Sequence, residues 1–217
     1  QGGTFMLGLL RHSIWGHLKT HIVAYFFLIL IFMIGVVAGA FAVKTLPDEQ
    51  KTELIGYLRL FFHGLTTASD TVRSPDLLHS ALYNNAKTVG IIWLLGFTVI
   101  GVPIILFIIF TRGFVIGFTV GFLVNEYLMR GLAFALVSIL PHNFFAVPSL
   151  LLTGVAAISF SMHIIKVNKK QKAFLPRAFH YTLLCTCTLL VMVVAGIIEV
   201  MISPVFMKMV AAFLIKY

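Results

Sequence analysis

The chain is short of charge. Aspartate, glutamate, lysine and arginine make up 11% of its 217 residues, and seven positions are acidic. An average soluble domain carries about 25% charged residues, so a water-facing globule is excluded. Cysteine is scarce as well. Cys185 and Cys187 stand two apart in one apolar run, which points them to different sides of a helix and excludes a disulfide or a paired metal site between them. The histidines do not cluster at ligand spacing, and neither a low-complexity tract nor an internal repeat is visible. What is abundant is apolar: 60% of residues are hydrophobic, 21 are Phe, and the mean hydropathy is +1.04. Such a chain buries its apolar surface in lipid and between helices. The expected class is an all-α, polytopic integral membrane bundle.

Residues 22–43, 89–110, 144–165 and 179–203 form four long apolar runs. Each exceeds the roughly 20 residues that cross a bilayer as a helix. A shorter run, 113–129, is close to the lower limit of about 17 residues. Residues 131–140 are too short to span, and Pro141-His142-Asn143 is expected to break the pattern.

Charge sets the parity. The loop at 166–178 carries Lys166, Lys169, Lys170, Lys172 and Arg177 and no acid, which marks it as cytoplasmic. The 1–21 flank, with Arg11 and Lys19, reads the same way, and so does Arg112. The 44–87 segment balances five bases against five acids and belongs outside. These assignments close only if 113–129 crosses. Five crossings are therefore expected, at 22–43, 88–111, 113–129, 144–165 and 179–203, with 131–143 a Pro-broken half-helix and 204–217 an outside tail. The N-terminus is then cytoplasmic, with the first span as an uncleaved anchor. The positive charge is a topology signal that also suits anionic lipid, and it makes no nucleic-acid surface.

Two short amphipathic helices are expected in the first outside loop. One begins at Pro47-Asp48-Glu49, with Leu54, Leu58, Phe61, Phe62 and Leu65 at helical spacing. The other begins at Ser74-Pro75-Asp76, with Ser74 as cap, and runs to Asn84-Asn85. They either cover the bundle or present a platform to an outside partner.

Polar residues within apolar runs are where chemistry would sit. Glu126 and Arg130 have the spacing of an interfacial i,i+4 pair, and Glu199 lies near the end of the last run. Ser138 and His142 invite a protease reading. The flanking sequence lacks a Gly-x-Ser-x-Gly turn, a His-Glu-x-x-His motif and paired intramembrane aspartates, so no catalytic, metal or cofactor residues are assigned. A helix break at Pro141, with Pro103 and Pro148 as further kinks, leaves a transporter or channel as the alternative reading. Gly35 and Gly39, and Gly113, Gly117 and Gly121, repeat at four-residue spacing, which lets helix backbones approach closely. Packing within the bundle and self-association both remain open for these stripes.

The order of several motifs resembles the stage II sporulation protein M family. These are Asn84-Asn85-Ala86-Lys87-Thr88-Val89-Gly90, Leu95-Gly96, Ile100-Gly101-Val102-Pro103, the stretch from Arg112-Gly113-Phe114 to Val124-Asn125, Leu140-Pro141-His142-Asn143 with Pro148, and Ser203-Pro204-Val205-Phe206-Met207-Lys208. The resemblance runs over nearly the whole chain from about Arg11. It implies a non-enzymatic scaffold of the mother-cell septal and engulfing membrane in endospore-forming bacteria. It also implies that the scaffold localises two peptidoglycan-degrading partners, stage II sporulation proteins D and P, outside the membrane during engulfment. Many members of the wider family carry Pro-His-Gly-x-x-Glu-x-Pro; here Asn143 replaces the Gly and Ala146 the acid, which argues against carboxylate-dependent transport.

Overall fold

The computed structural model describes residues 22–67, 75–166 and 174–201, and every element among them is a helix. The expectations for the 1–21 flank, the Ser74 cap, Lys169, Lys170, Lys172 and the 204–217 tail lie outside the described residues. The elements are α1 (Ile22–Lys44), α2 (Asp48–Thr67), α3 (Pro75–Gly96), α4 (Gly101–Lys166) and α5 (Phe174–Met201). Three helical stretches among the described residues are long and apolar enough to cross a membrane: α1, Gly101–Ile165 within α4, and Leu175–Met201 within α5.

α1 ends at Lys44, where the Thr45 hydroxyl donates to Ala42 O at 2.9 Å. Pro47 cannot continue a helix, and α2 starts directly after it with Asp48 and Glu49 in its first turn, where the helix dipole favours acids. α3 starts at Pro75 but does not stop at Asn84-Asn85; it continues to Gly96. The expected span at 88–111 is thus divided. Its first part ends α3, its second opens α4, and a tight turn joins them. Thr98 N donates to Leu95 O at 3.0 Å, and Gly101 N to Thr98 O at 3.2 Å. A side chain at Gly101 would collide with Leu95 O, so only glycine closes this turn. Pro103 falls in the first turn of α4, where a missing N–H costs nothing.

α4 has two legs, 101–127 and 129–166, with Leu128 between them at φ 50°, ψ −130°. That left-handed backbone is unusual for leucine and is strained. The legs run antiparallel. Ser161 reaches Thr98 O, Gly154 meets Ile105 and Ile109, and Gly131 packs so closely on Leu123 O that a Cβ would clash. Two expectations are corrected here. Residues 113–129 are not a separate span but the second half of the first leg. Residues 131–143 are not a broken half-helix, because the second leg passes through both Pro141 and Pro148 without losing helical φ/ψ. The expected break followed the behaviour of proline in water. In a membrane bundle, packing against neighbouring helices lets a helix carry a proline without ending. Here Ser138, Asn143, Ser149 and Thr153 each add a side-chain bond to a carbonyl one turn back, at 2.7–2.9 Å, on the turns that flank the two prolines.

α1, the first leg of α4 and α5 run in one direction; α3 and the second leg run in the other. The pairing is visible in contacts between α3 and α5, where Asn85 meets Met192 and Tyr181 meets Trp93. One apolar core fills the centre, with Leu28, Ile92, Ile105, Ile109, Leu150, Val155 and Met192 fully buried. A smaller cluster of Leu123, Phe134 and Ala135 sits near Leu128, with Leu58 of α2 packed on it. Lipid is as apolar as leucine, so these helices gain from close packing rather than from escape from water. α1 and the first leg show this most clearly. Gly35 and Gly39 abut Phe110 O and Phe114 O; in return Gly113 and Gly117 abut Phe32 O and Val36 O, and a Cβ at Gly121 would lie 3.0 Å from Ala40 Cα.

Candidate functional site

Near the Leu128 end the helices separate around a cavity of about 310 Å³. The first leg of α4 supplies Thr119, Phe122 and Leu123. The second leg supplies Phe134, Ser138, Ile139, His142 and Asn143; α5 supplies Glu199 and α2 supplies Leu58. Phe122 is held in place as the last ring of an i,i+4 file, Phe110, Phe114, Phe118 and Phe122, with centroids 6.2–6.4 Å apart.

His142 and Glu199 give the cavity its polarity. His142 Nδ1 lies 3.0 Å from Ala195 O and 3.4 Å from Glu199 Oε2. A carbonyl and a carboxylate both accept, so Nδ1 must carry a proton and donate. The imidazole side chain is 10% exposed and the Glu199 carboxylate 46%. Ser138, one turn before His142, donates to Phe134 O at 2.7 Å and not to the imidazole. Ser138 and His142 are therefore not arranged as a nucleophile and its base. Asn143 Nδ2 donates to Ile139 O at 2.9 Å. The cavity thus offers a half-exposed carboxylate held by a histidine, at one end of a bundle whose centre is packed shut.

The remaining sequence candidates fall elsewhere. Asn85 is buried against α5, with Nδ2 3.5 Å from Met192 O, while Asn84 is exposed and accepts from Thr88 through its carbonyl. Pro148 faces outward on the second leg. Asn125 donates to Glu126 Oε1 at 3.0 Å. Leu128 interrupts the helix between Glu126 and Arg130, so the i,i+4 premise for those two does not hold. Ala146 is buried one turn after His142, and the carboxylate beside the histidine comes instead from Glu199. Cys185 is buried and Cys187 exposed.

Sequence reasoning missed two things. It did not join Glu199 to His142, although Glu199 is the sole acid after position 126, and an isolated acid in an apolar helix is itself a signal. It also placed Arg112 in a loop. In the structure Arg112 lies within the first leg of α4, donating from Nη2 to Thr88 Oγ1 at 3.4 Å.

Long apolar helices packed antiparallel around a close-packed apolar core define a polytopic α-helical membrane protein. The chain matches the stage II sporulation protein M family over residues 28–204, most of its length, and it belongs to that family. No curated protein and no solved structure matches it. It is therefore a sporulation-related membrane protein, of a family not known as enzymatic.

Proposed function

We propose that this protein is a membrane scaffold. In this reading it anchors the peptidoglycan-degrading stage II sporulation proteins D and P at the septal and engulfing membrane, on the side away from the cytoplasm. The observation that carries the reading is the contrast between centre and end. Leu28, Ile92, Ile105, Ile109, Leu150, Val155 and Met192 fill the middle of the bundle. The cavity, α2 and the described acids gather at the Leu128 end. A bundle built this way presents one face.

The proposed topology follows from charge. His163, Lys166, Arg177 and His180 lie towards the end opposite Leu128, with no described acid among them. By the positive-inside rule that end is cytoplasmic. With α1, α3, the two legs of α4 and α5 each counted as a pass, the chain crosses five times, N-terminus in and C-terminus out. The outer face then comprises α2, the Leu128 reversal and the Glu199 end of α5.

The test is co-purification from sporulating membranes. Tagged wild-type protein should bring down D and P, and charge reversals on the outer face of α2, such as Glu49→Lys with Glu53→Lys, should weaken recovery. Failure of well-folded wild-type protein to recover either enzyme would sink the scaffold reading. Labelling of a cysteine placed at Lys166 by an impermeant reagent outside intact cells would overturn the orientation.

A further inference from the structure

Arg112 is the feature least explained by a sealed anchor. Gly113, its neighbour, packs against Phe32 O and Val36 N, which lie around the middle of the 23-residue α1. At 1.5 Å per residue α1 is about 34 Å long, enough to cross the hydrocarbon layer. Arg112 therefore sits near the bilayer midplane. Its contact with Thr88 brings α3 to the same depth, and Lys87 stands next to Thr88. Lys87 is exposed, on the opposite side of α3 from the buried Asn85, Val89 and Ile92.

Neither cation is in an ion pair with a described residue. Thr88 cannot neutralise Arg112; it is uncharged, and its own proton goes to Asn84 O at 2.9 Å. Charges at this depth are rare and usually have a partner. The described acids do not supply one. Of the chain's seven acids, Asp48, Glu49, Glu53, Asp76, Glu126 and Glu199 lie towards the Leu128 end of the bundle, and Asp70 lies outside the described residues. A second copy in the same orientation places those six acids at that same end. Lipid phosphates lie roughly 15 Å from the midplane, farther than an extended arginine reaches.

We propose that Arg112, flanked by Lys87 and Asn84, docks a transmembrane helix of another protein that carries a carboxylate at mid-bilayer depth. The guanidinium fork matches a carboxylate in two-point geometry, and Asn84 adds a polar group on the same outward side of α3. This deepens the scaffold reading and rests on it: partners would be held through a membrane-embedded helix as well as through the outer face.

The test uses the full-length protein in phosphatidylcholine vesicles with a synthetic single-span Leu/Ala helix bearing one central Glu, and a Gln twin as control. Association is read by energy transfer between labels. The Glu helix should associate about tenfold more tightly than its twin. The preference should vanish in Arg112→Gln, persist in Arg112→Lys and weaken several-fold in Lys87→Gln. To guard against misfolding, Arg112→Glu should instead prefer a helix with a central Lys. Equal association of the Glu and Gln helices overturns the proposal. So does a preference that survives Arg112→Gln, or one that appears only with added phosphatidylglycerol, which would assign Arg112 to lipid. The assay contains neither D nor P. A negative result removes this site and leaves the scaffold reading standing, whereas failed co-purification beside a positive result removes those partners and keeps the site.

Discussion

The contact between α1 and the first leg of α4 can be tested one methyl group at a time. Adding a Cβ at Gly117 would place it inside the contact distance of Val36 O, with Val36 C and Cα next nearest. All three are backbone atoms of a helix and cannot swing aside, so the two helices must part. Parting them also opens the contacts at Gly35, Gly39 and Gly113. Overpacking of this kind costs about 1–3 kcal/mol, and Gly117→Ala is expected to cost about 2 kcal/mol. Gly154 provides a graded comparison. Its added Cβ would meet Ile109 Cδ1 at 2.8 Å and Leu28 Cδ1 at 3.2 Å, the far ends of flexible side chains, so Gly154→Ala should cost about 1 kcal/mol or less. At Gly90 nothing lies within 4 Å. There alanine only restricts the unfolded chain and should stabilise by roughly 0.5–1 kcal/mol. The assay is reversible unfolding in mixed micelles by SDS titration, followed by tryptophan fluorescence. The expected order of destabilisation is Gly117→Ala, then Gly154→Ala, then Gly90→Ala with the opposite sign. Indistinguishable midpoints for Gly117→Ala and Gly90→Ala would refute the close-packing argument.

Three further outcomes are expected in the same assay. Thr188→Val removes the 2.9 Å bond between Thr153 and Thr188 and should cost about 0.6 kcal/mol; Thr153→Val added to it should cost less than the sum of the singles, because the two share one interaction. Tyr181→Phe deletes a hydroxyl that donates to Trp93 O at 2.9 Å and pins the α3–α4 turn beside Phe97 and Phe160, so a loss of about 1 kcal/mol is expected. Pro141→Ala should leave stability unchanged or raised, since the second leg is already helical there. A loss of more than about 1 kcal/mol would mean that the proline shapes a site its ring alone can make.

Membrane class, helical content and the glycine stripes were legible in the sequence because each is a local property. Length, apolarity and four-residue spacing report directly on a helix in lipid. The start of α2 was legible for the same reason, since Pro47 and the two acids after it act within a single turn. Prolines were misread where context decides. Pro141 looks like a break in isolation, but a leg packed between other helices carries it through. The Val89–Phe110 stretch looked continuous, yet it bends back at Thr98 because Gly96 leaves room for the Tyr181 ring and Gly101 for Leu95 O.

The sequence by itself determined that this is a helical membrane protein, and its motif order pointed to the family. Only the tertiary structure decided which helices pair and where along the bundle each polar group lies. It set Glu199 beside His142 across 57 residues of chain, and it moved Arg112 from an expected loop into the first leg of α4, against Thr88 of α3. The physical reason is that position along a bundle is a property of packing register. Where a charge lies along a bundle is fixed by which backbone its neighbours touch, and the glycine contacts that set this register bring together residues 75 to 81 apart in the chain.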